Sequence, residues 1–82
     1  MQNSTNMRIL ELLRFLYEQT DENHPATVSD IIAHLNGKGI QAVRQTVYAD
    51  TNALIDAGID IVVVKSTQNQ YFMGSRPFEY PE

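Results

Sequence analysis

The sequence predicts one small, mainly α-helical domain that ends in a two-stranded β-hairpin. Three segments whose apolar residues repeat at helical spacing come first, and two short runs rich in β-branched or aromatic residues follow them. The chain has 82 residues, enough for a single hydrophobic core, and it has no cysteine for a disulfide or a thiolate metal site. No apolar run approaches the ~18 residues that a membrane-spanning helix needs.

The first helix is expected to start with Asn6 as its N-cap and to run to about Gln19. Its apolar residues form a wide stripe at helical spacing: Ile9, Leu10, Leu12, Leu13, Phe15, Leu16 and Tyr17. Ile9, Leu12 and Phe15 widen this stripe, so they belong either to the core or to a seam for a dimer or a docking domain. A polar loop ending at Pro25 follows.

A capping box predicts the start of the second helix. Thr27 stands three residues before Asp30, so each side chain can bond the backbone N–H group of the other residue. Residues 36–39 (NGKG) end this helix, because glycine readily adopts the left-handed conformation of a helix end. The inward side chains are expected to be Val28, Ile31, Ile32 and Leu35.

The third helix is predicted from about Ala42 to Ala57, with Gly58 as its C-cap. Its inward side chains are expected to be Val43, Val47, Thr51 and Leu54. Residues 59–64 and 70–73 are too short for further helices and are rich in β-branched or aromatic side chains. The polar run between them supplies a turn, so the two segments predict one hairpin.

Charge is unevenly distributed along the chain. The net charge of −4 argues against nucleic-acid binding, because phosphate contacts need positive charge. Residues 31–49, however, contain no acid and carry Lys38 and Arg44, and residues 61–78 contain no acid and carry Lys65 and Arg76. A phosphate responds to charge within a screening length of about 8 Å, so both stretches are candidate contacts.

Three helices followed by a hairpin are the order of a winged helix-turn-helix, in which the third helix enters the major groove and the hairpin, or wing, lies on the DNA backbone. The third helix would then present Arg44, Gln45 and Tyr48 outward. Arginine reads guanine and glutamine reads adenine, whereas Thr46 and Tyr48 suit phosphate or sugar contacts. Tyr48 fits equally well as a partly buried core aromatic whose hydroxyl stays in solvent. Asp50 is unsuited to DNA and is expected to cap the helix or pair with Arg44 or another basic residue.

Phosphate contacts are expected at both ends of this surface. Free backbone N–H groups near residues 41–43 would bind a phosphate at the helix start. Lys38 in the turn and Lys65 on the wing would contact DNA phosphates on either side of these N–H groups. The predicted DNA-binding residues are therefore Lys38, Gln41, Arg44, Gln45, Thr46, Tyr48 and Lys65.

Five runs of the sequence, taken together, resemble one protein family. They are residues 7–10 (MRIL), 27–31 (TVSDI), 44–50 (RQTVYAD), 54–61 (LIDAGIDI) and 69–79 (NQYFMGSRPFE). In this order they look like the N-terminal winged helix of WYL-domain transcriptional regulators, in which an Arg-x-Thr-Val-Tyr-Arg-Asp run opens the recognition helix. The resemblance extends over nearly the whole chain.

The resemblance implies a sequence-specific DNA-binding domain of a cytoplasmic transcriptional regulator. Such a domain binds double-stranded DNA without a cofactor, and the full-length protein would do so as a homodimer. Residues 1–75 correspond to the domain, and residues 76–82 to a linker towards a C-terminal WYL-like domain that would sense an effector. Gln45 and Ala49 stand where the family often has basic residues, which lowers the positive charge of the reading face.

Two other function classes are consistent with the composition. A winged helix that only contacts another protein fits the net charge of −4 and predicts negligible DNA binding. An enzyme is a weaker alternative, because the neighbouring carboxylates Asp21 and Glu22, or Asp56 and Asp60, come without a nucleophile or a Gly-rich phosphate loop. The two histidines lack the His-x-x-x-His spacing of a metal site, so no catalytic or metal-binding residue is assigned.

Overall fold

A computed structural model describes residues 4–74, which form three α-helices and a three-stranded antiparallel sheet. The elements in chain order are α1 (Ser4–Gln19), β1 (Ala26–Thr27), α2 (Val28–Gly37), α3 (Arg44–Asp56), β2 (Ile61–Val64) and β3 (Gln70–Met73). The predicted order of three helices and a hairpin is confirmed. The linker predicted at residues 76–82 lies outside the described residues.

The sheet has one strand more than the sequence predicts. β2 and β3 form the expected hairpin, and β1 pairs with the other side of β3, so that the strand order is β1-β3-β2. The prediction of a two-stranded sheet was therefore wrong. β1 has only two residues, Ala26 and Thr27, and so short a segment cannot show the alternation of apolar and polar side chains that identifies a strand.

α1 begins at Ser4, three residues before the predicted first helical residue Met7, so Asn6 lies inside the helix and is not its N-cap. Serine and asparagine disfavour a helix by less than about 0.7 kcal/mol each, which the packing of the remaining helix readily offsets. Leu10 was predicted to belong to the apolar stripe, but it is 65% exposed and lies outside the buried part of that stripe.

The wide apolar stripe of α1 is part of the core. Leu12 and Leu16 are fully buried, and Ile9 and Phe15 pack against them while partly exposed. Of the two interpretations of Ile9, Leu12 and Phe15, the structure supports core packing. Every helix and strand contributes to this core, which consists of Leu12, Leu16, Ala26, Val28, Ile31, Leu35, Ala42, Val47, Leu54, Ile61, Tyr71 and Met73.

The predicted capping box of α2 is present. The Thr27 hydroxyl accepts the Asp30 N–H group at 3.0 Å, and the Asp30 carboxylate accepts the Thr27 N–H group at 3.1 Å. Val28, Ile31 and Leu35 are buried as predicted, and Ile32 is half-buried beside them. This box fixes where the chain turns from β1 into α2, which places the sheet against the helices.

α3 begins at Arg44, two residues later than predicted, and its N-cap is Val43. The Val43 backbone is extended (φ −128°, ψ 171°) and its side chain is 54% exposed, so the prediction of Val43 as an inward residue was wrong. That prediction continued the spacing of the buried positions back beyond the helix, where helical geometry no longer applies. The other predicted inward residues are buried: Val47, Thr51 and Leu54.

Glycines with positive φ follow the ends of α2 and α3. Gly39 (φ +78°) lies in the turn after α2, where the Ile40 N–H group donates to the Leu35 carbonyl at 2.9 Å. Gly58 (φ +102°) is followed by an equivalent bond of 3.0 Å at the end of α3. Both helix ends match the sequence prediction, because glycine adopts positive φ without the steric cost of a Cβ atom.

Thr20 connects the end of α1 to β3 and gives a first testable prediction. Its buried hydroxyl donates to the Leu16 carbonyl at 2.6 Å and accepts the Met73 N–H group at 3.0 Å. We expect Thr20→Val to lower the free energy of unfolding by about 1–2 kcal/mol, because valine leaves the buried Met73 N–H group without this acceptor. Urea unfolding followed by circular dichroism measures the loss. Thr67→Val, at an exposed turn position, is the control, and an equal loss in both variants would contradict the prediction.

Candidate nucleic-acid interface

A local cap holds the start of α3. The Val43 N–H group donates to the Thr46 hydroxyl at 3.0 Å, and this hydroxyl donates to the Val43 carbonyl at 2.7 Å. The first helical bond runs from the Val47 N–H group to the Val43 carbonyl at 3.1 Å, so the N–H groups of residues 44–46 have no acceptor within the helix. The sequence predicted such groups near residues 41–43. They lie further along because the helix begins later, and they suit an anion such as phosphate.

The outward face of α3 carries the side chains predicted to read bases. Arg44 and Gln45 are exposed, and Tyr48 is half-buried. Asn52, one turn beyond Tyr48, is also exposed and was missed by the sequence prediction. Within residues 4–74, the side chains of Arg44, Gln45 and Asn52 make no hydrogen bond or ion pair. Their polar groups are therefore available to a ligand.

The one acid in the first half of α3 is buried and paired. Asp50 accepts two hydrogen bonds from Arg8 of α1, at 2.6 Å from Nε and 3.1 Å from Nη2, and the side chains are only 6% and 17% exposed. The hydrogen bonds that Arg8 donates to Asp50 raise the pKa of the Arg8 guanidinium, against the opposing effect of burial. The expected ion pair thus forms with Arg8, and Arg44 stays free of it. A bidentate pair of this kind also fixes α3 relative to the start of α1.

Three of the predicted residues line an open cleft of about 760 Å³, the turn cleft, between the start of α1 and the α2–α3 turn. They are Lys38, Gln41 and Thr46. The other lining residues are Met7, Arg8, Gly39, Ile40, Ala42 and Val43, so no acid lines this cleft. Lys38 and Gln41 are exposed, whereas the Thr46 hydroxyl is engaged in the helix cap described above.

Tyr48 and Lys65 meet in a second open cleft of about 320 Å³, the hairpin cleft, which lies between α3 and the β2–β3 hairpin. Its remaining lining residues are Asn52, Val63, Asn69 and Tyr71, so it too contains no acid. Asn69 was not predicted, because its place in the hairpin turn gave it a purely structural explanation. Asn52 could have been found from its spacing of four residues after Tyr48, which keeps both on neighbouring positions of one helix face.

A polar cluster on α1 and α2 borders Lys38. His34 lies 2.8 Å from the Glu11 carboxylate and stacks on Phe15 with ring centroids 4.4 Å apart. The hydrogen bond with His34 lowers the pKa of Glu11, burial opposes this effect, and the charges of Lys38 and Arg14 add to it. Neither Lys38 nor Lys65 forms an ion pair within residues 4–74, although the charge of Lys38 reaches Glu11.

None of the acids of the described residues lines either cleft. They are Glu11, Glu18, Asp21, Glu22, Asp30, Asp50, Asp56 and Asp60. Of these, only Asp50 belongs to the first half of α3, and it is buried with Arg8. The charge of −4 therefore does not describe the surface around the start of α3 and the hairpin.

Within residues 4–74, no group of three or more histidine, cysteine, aspartate or glutamate side chains is placed to hold a metal ion. The helices of this part of the chain are also too short or too polar to cross a membrane. In comparisons with known proteins, the chain matches no protein-family model, no curated protein and no solved structure.

Proposed function

We propose that this chain is a winged-helix domain that binds double-stranded DNA sequence-specifically, with α3 in the major groove and the β2–β3 hairpin on the DNA backbone. The hairpin cleft carries the proposal. In it, Tyr48 and Asn52 of α3 face Lys65 and Asn69 of the hairpin without an intervening acid. In the complex with DNA, α3 would read bases and the hairpin beside it would hold a phosphate of the DNA backbone.

The start of α3 supports the same arrangement. Arg44 and Gln45 are exposed on the first turn, next to helix N–H groups that have no helical acceptor. Guanidinium and amide groups on a helix of this width fit a major groove about 12 Å wide. The neighbouring turn cleft adds Lys38 and Gln41, which would contact the DNA backbone beside the helix.

Asp50, the acid in the first half of α3, does not oppose this arrangement. An exposed carboxylate on α3 would repel the phosphates, but this one is neutralised by two hydrogen bonds from Arg8. The resemblance to WYL-domain regulators extends the proposal to a cytoplasmic transcriptional regulator that binds DNA as a homodimer. In that setting two copies of α3 would read two half-sites.

The test is binding of the chain to random duplex DNA from about 20 to about 200 mM salt, measured by fluorescence anisotropy. We expect affinity to fall steeply with salt, because each phosphate contact releases counterions. The chain is measured both alone and as two copies joined by a flexible linker, so that a weak half-site contact is detected. Absence of binding in both forms at the lowest salt would contradict the proposal.

Lys65 gives a second testable prediction. We expect Lys65→Ala to weaken binding to all duplex sequences about equally, and to reduce the slope of log affinity against log salt by about 0.9. The reason is the loss of one phosphate contact from the hairpin. Arg14→Ala is the matched control, because Arg14 is an exposed basic residue on α1 that lines neither cleft. Equal slopes for Lys65→Ala and the parent chain would contradict this role.

Protein–protein contact is the second candidate function, and one observation favours it. Met7, Leu10 and Val43 are 53%, 65% and 54% exposed, and Met7 and Val43 both line the turn cleft. Exposed apolar side chains gathered at one place are typical of a surface that another protein covers. The linked-copy experiment separates the two functions, because a domain used only for protein contact would not bind DNA in either form.

A further inference from the structure

We propose that α3 selects A·T base pairs through an outward stripe formed by Gln45, Ala49 and Asn52, the amide stripe. Gln45 and Asn52 would each read an adenine, and the two adenines would lie no more than three base-pair steps apart. This inference rests on the proposed DNA-binding function. It goes further by specifying the kind of sequence that the domain prefers.

The chemistry of the stripe favours adenine. Gln45 and Asn52 are both exposed, and neither side-chain amide has a hydrogen-bond partner within residues 4–74. An amide offers one donor and one acceptor side by side, which matches the N7 acceptor and N6 donor of adenine in the major groove. Guanine offers two acceptors at the same edge and matches an arginine instead. Two unpartnered amides therefore point to two adenines.

The spacing along α3 limits the distance between the two adenines. Gln45 and Asn52 are seven residues apart, so their side chains leave the helix within about 20° of the same direction. Seven residues span about 10.5 Å along the helix axis. Three base-pair steps span nearly the same length along the DNA axis, at about 3.4 Å each. Because the major groove is inclined to the DNA axis, a helix lying in it brings the two amides to base pairs no more than three steps apart.

Ala49 occupies the middle of the stripe and suits the same sequence. It is exposed, four residues after Gln45 and three before Asn52. Its methyl group is small enough to let the helix approach the groove floor, and apolar contact with the thymine methyl group is the way in which alanine reads a base. A thymine between the two adenines, on either strand, would meet this methyl group.

The experiment is selection of preferred sites by the chain from a random duplex library, followed by measured affinities for the selected site and its single-base variants. We expect A·T pairs at two positions no more than three steps apart. In Asn52→Ala, the preference at one position should fall by a factor between about 5 and 150, with the other position unchanged. Gln45→Ala should produce the reverse pattern.

Two further variants make the result specific. Gln45→Arg should change the preferred base at its position from adenine to guanine, because a guanidinium matches the two acceptors of guanine. Asn69→Ala is the matched control, since it removes the same amide from the hairpin side of the hairpin cleft. We expect it to alter affinity for all sites alike without changing any preferred base. Circular dichroism checks that each variant, all at surface positions, remains folded.

The outcomes separate this inference from the proposed function. No binding of any duplex, by the single or the linked form, would overturn both. Salt-sensitive binding whose selected sites lack the two A·T positions, or whose preferences are unaffected by the Gln45 and Asn52 variants, would overturn the inference and leave the proposed function standing. Position-specific losses in the two alanine variants would support it.

Discussion

Asp50→Ala is expected to lower the free energy of unfolding by about 3 kcal/mol, because it leaves the Arg8 guanidinium mostly buried without its counter-ion. Asp50 accepts both hydrogen bonds from that guanidinium, so the variant removes a bidentate contact between α1 and α3. A single core of this size rarely supplies more than about 5 kcal/mol, so the variant should keep no more than about 2 kcal/mol and unfold at a much lower urea concentration. Urea unfolding followed by circular dichroism gives the value.

Two controls test whether the loss of stability comes from leaving a buried charge without its partner. Glu18→Ala breaks the Arg14–Glu18 pair, whose side chains are largely exposed, and we expect a loss of no more than about 0.5 kcal/mol. The double variant Arg8→Met with Asp50→Leu removes both buried charges and should recover most of the stability that Asp50→Ala loses. Equal stability of Asp50→Ala and the parent chain would show that the pair contributes nothing.

Local signals predicted most of the helical structure. The capping box of Thr27 and Asp30 and the glycines after α2 and α3 act within a few residues, so the sequence displays them directly. The same holds for the buried positions of α2 and for Val47 and Leu54. These residues repeat at the helical period, which needs no knowledge of the rest of the fold.

Features that depend on distant parts of the chain could not be predicted. Arg8 and Asp50 are 42 residues apart, and the sequence indicated only that Asp50 would need a basic partner. β1 exists because β3 offers it an unpaired edge, not because Ala26 and Thr27 carry a strand pattern. Val43 was misplaced because the start of α3 is set by the Thr46 cap, which competes with the apolar period.

In the candidate site, too, features set by nearby residues were predicted, and features set by distant parts of the chain were not. Helical spacing alone placed Arg44, Gln45 and Tyr48 on the outward face of α3, where Arg44 and Gln45 are exposed. Asn52 was not predicted because a winged helix places its base-reading residues in the first turns of the third helix, and Asn52 lies two turns beyond Gln45. It shares a cleft with Asn69 because the hairpin folds against α3, a contact between distant parts of the chain that the sequence does not display.

Arg44→Ala is expected to weaken binding to the preferred site by about 2 kcal/mol, roughly 30-fold, and to relax the preference for guanine at one position. Arg44 is the first residue of α3, is exposed, and has no partner within residues 4–74. Its guanidinium is therefore not committed to the fold, and unfolding in urea should be unchanged within about 0.5 kcal/mol. Anisotropy titrations on the preferred site, on its single-base variants and on random duplex measure both effects.

Comparison across sequences decides what Arg44 contacts. If it reads a base, Arg44→Ala lowers affinity for the preferred site much more than for random duplex. If it contacts only phosphate, affinity falls by the same factor for every sequence, and the base-reading role is refuted. Arg14→Ala, on α1 and away from both clefts, controls for the change in net charge alone. Because both variants lower the net charge equally, any excess loss in Arg44→Ala belongs to the position of the guanidinium on α3.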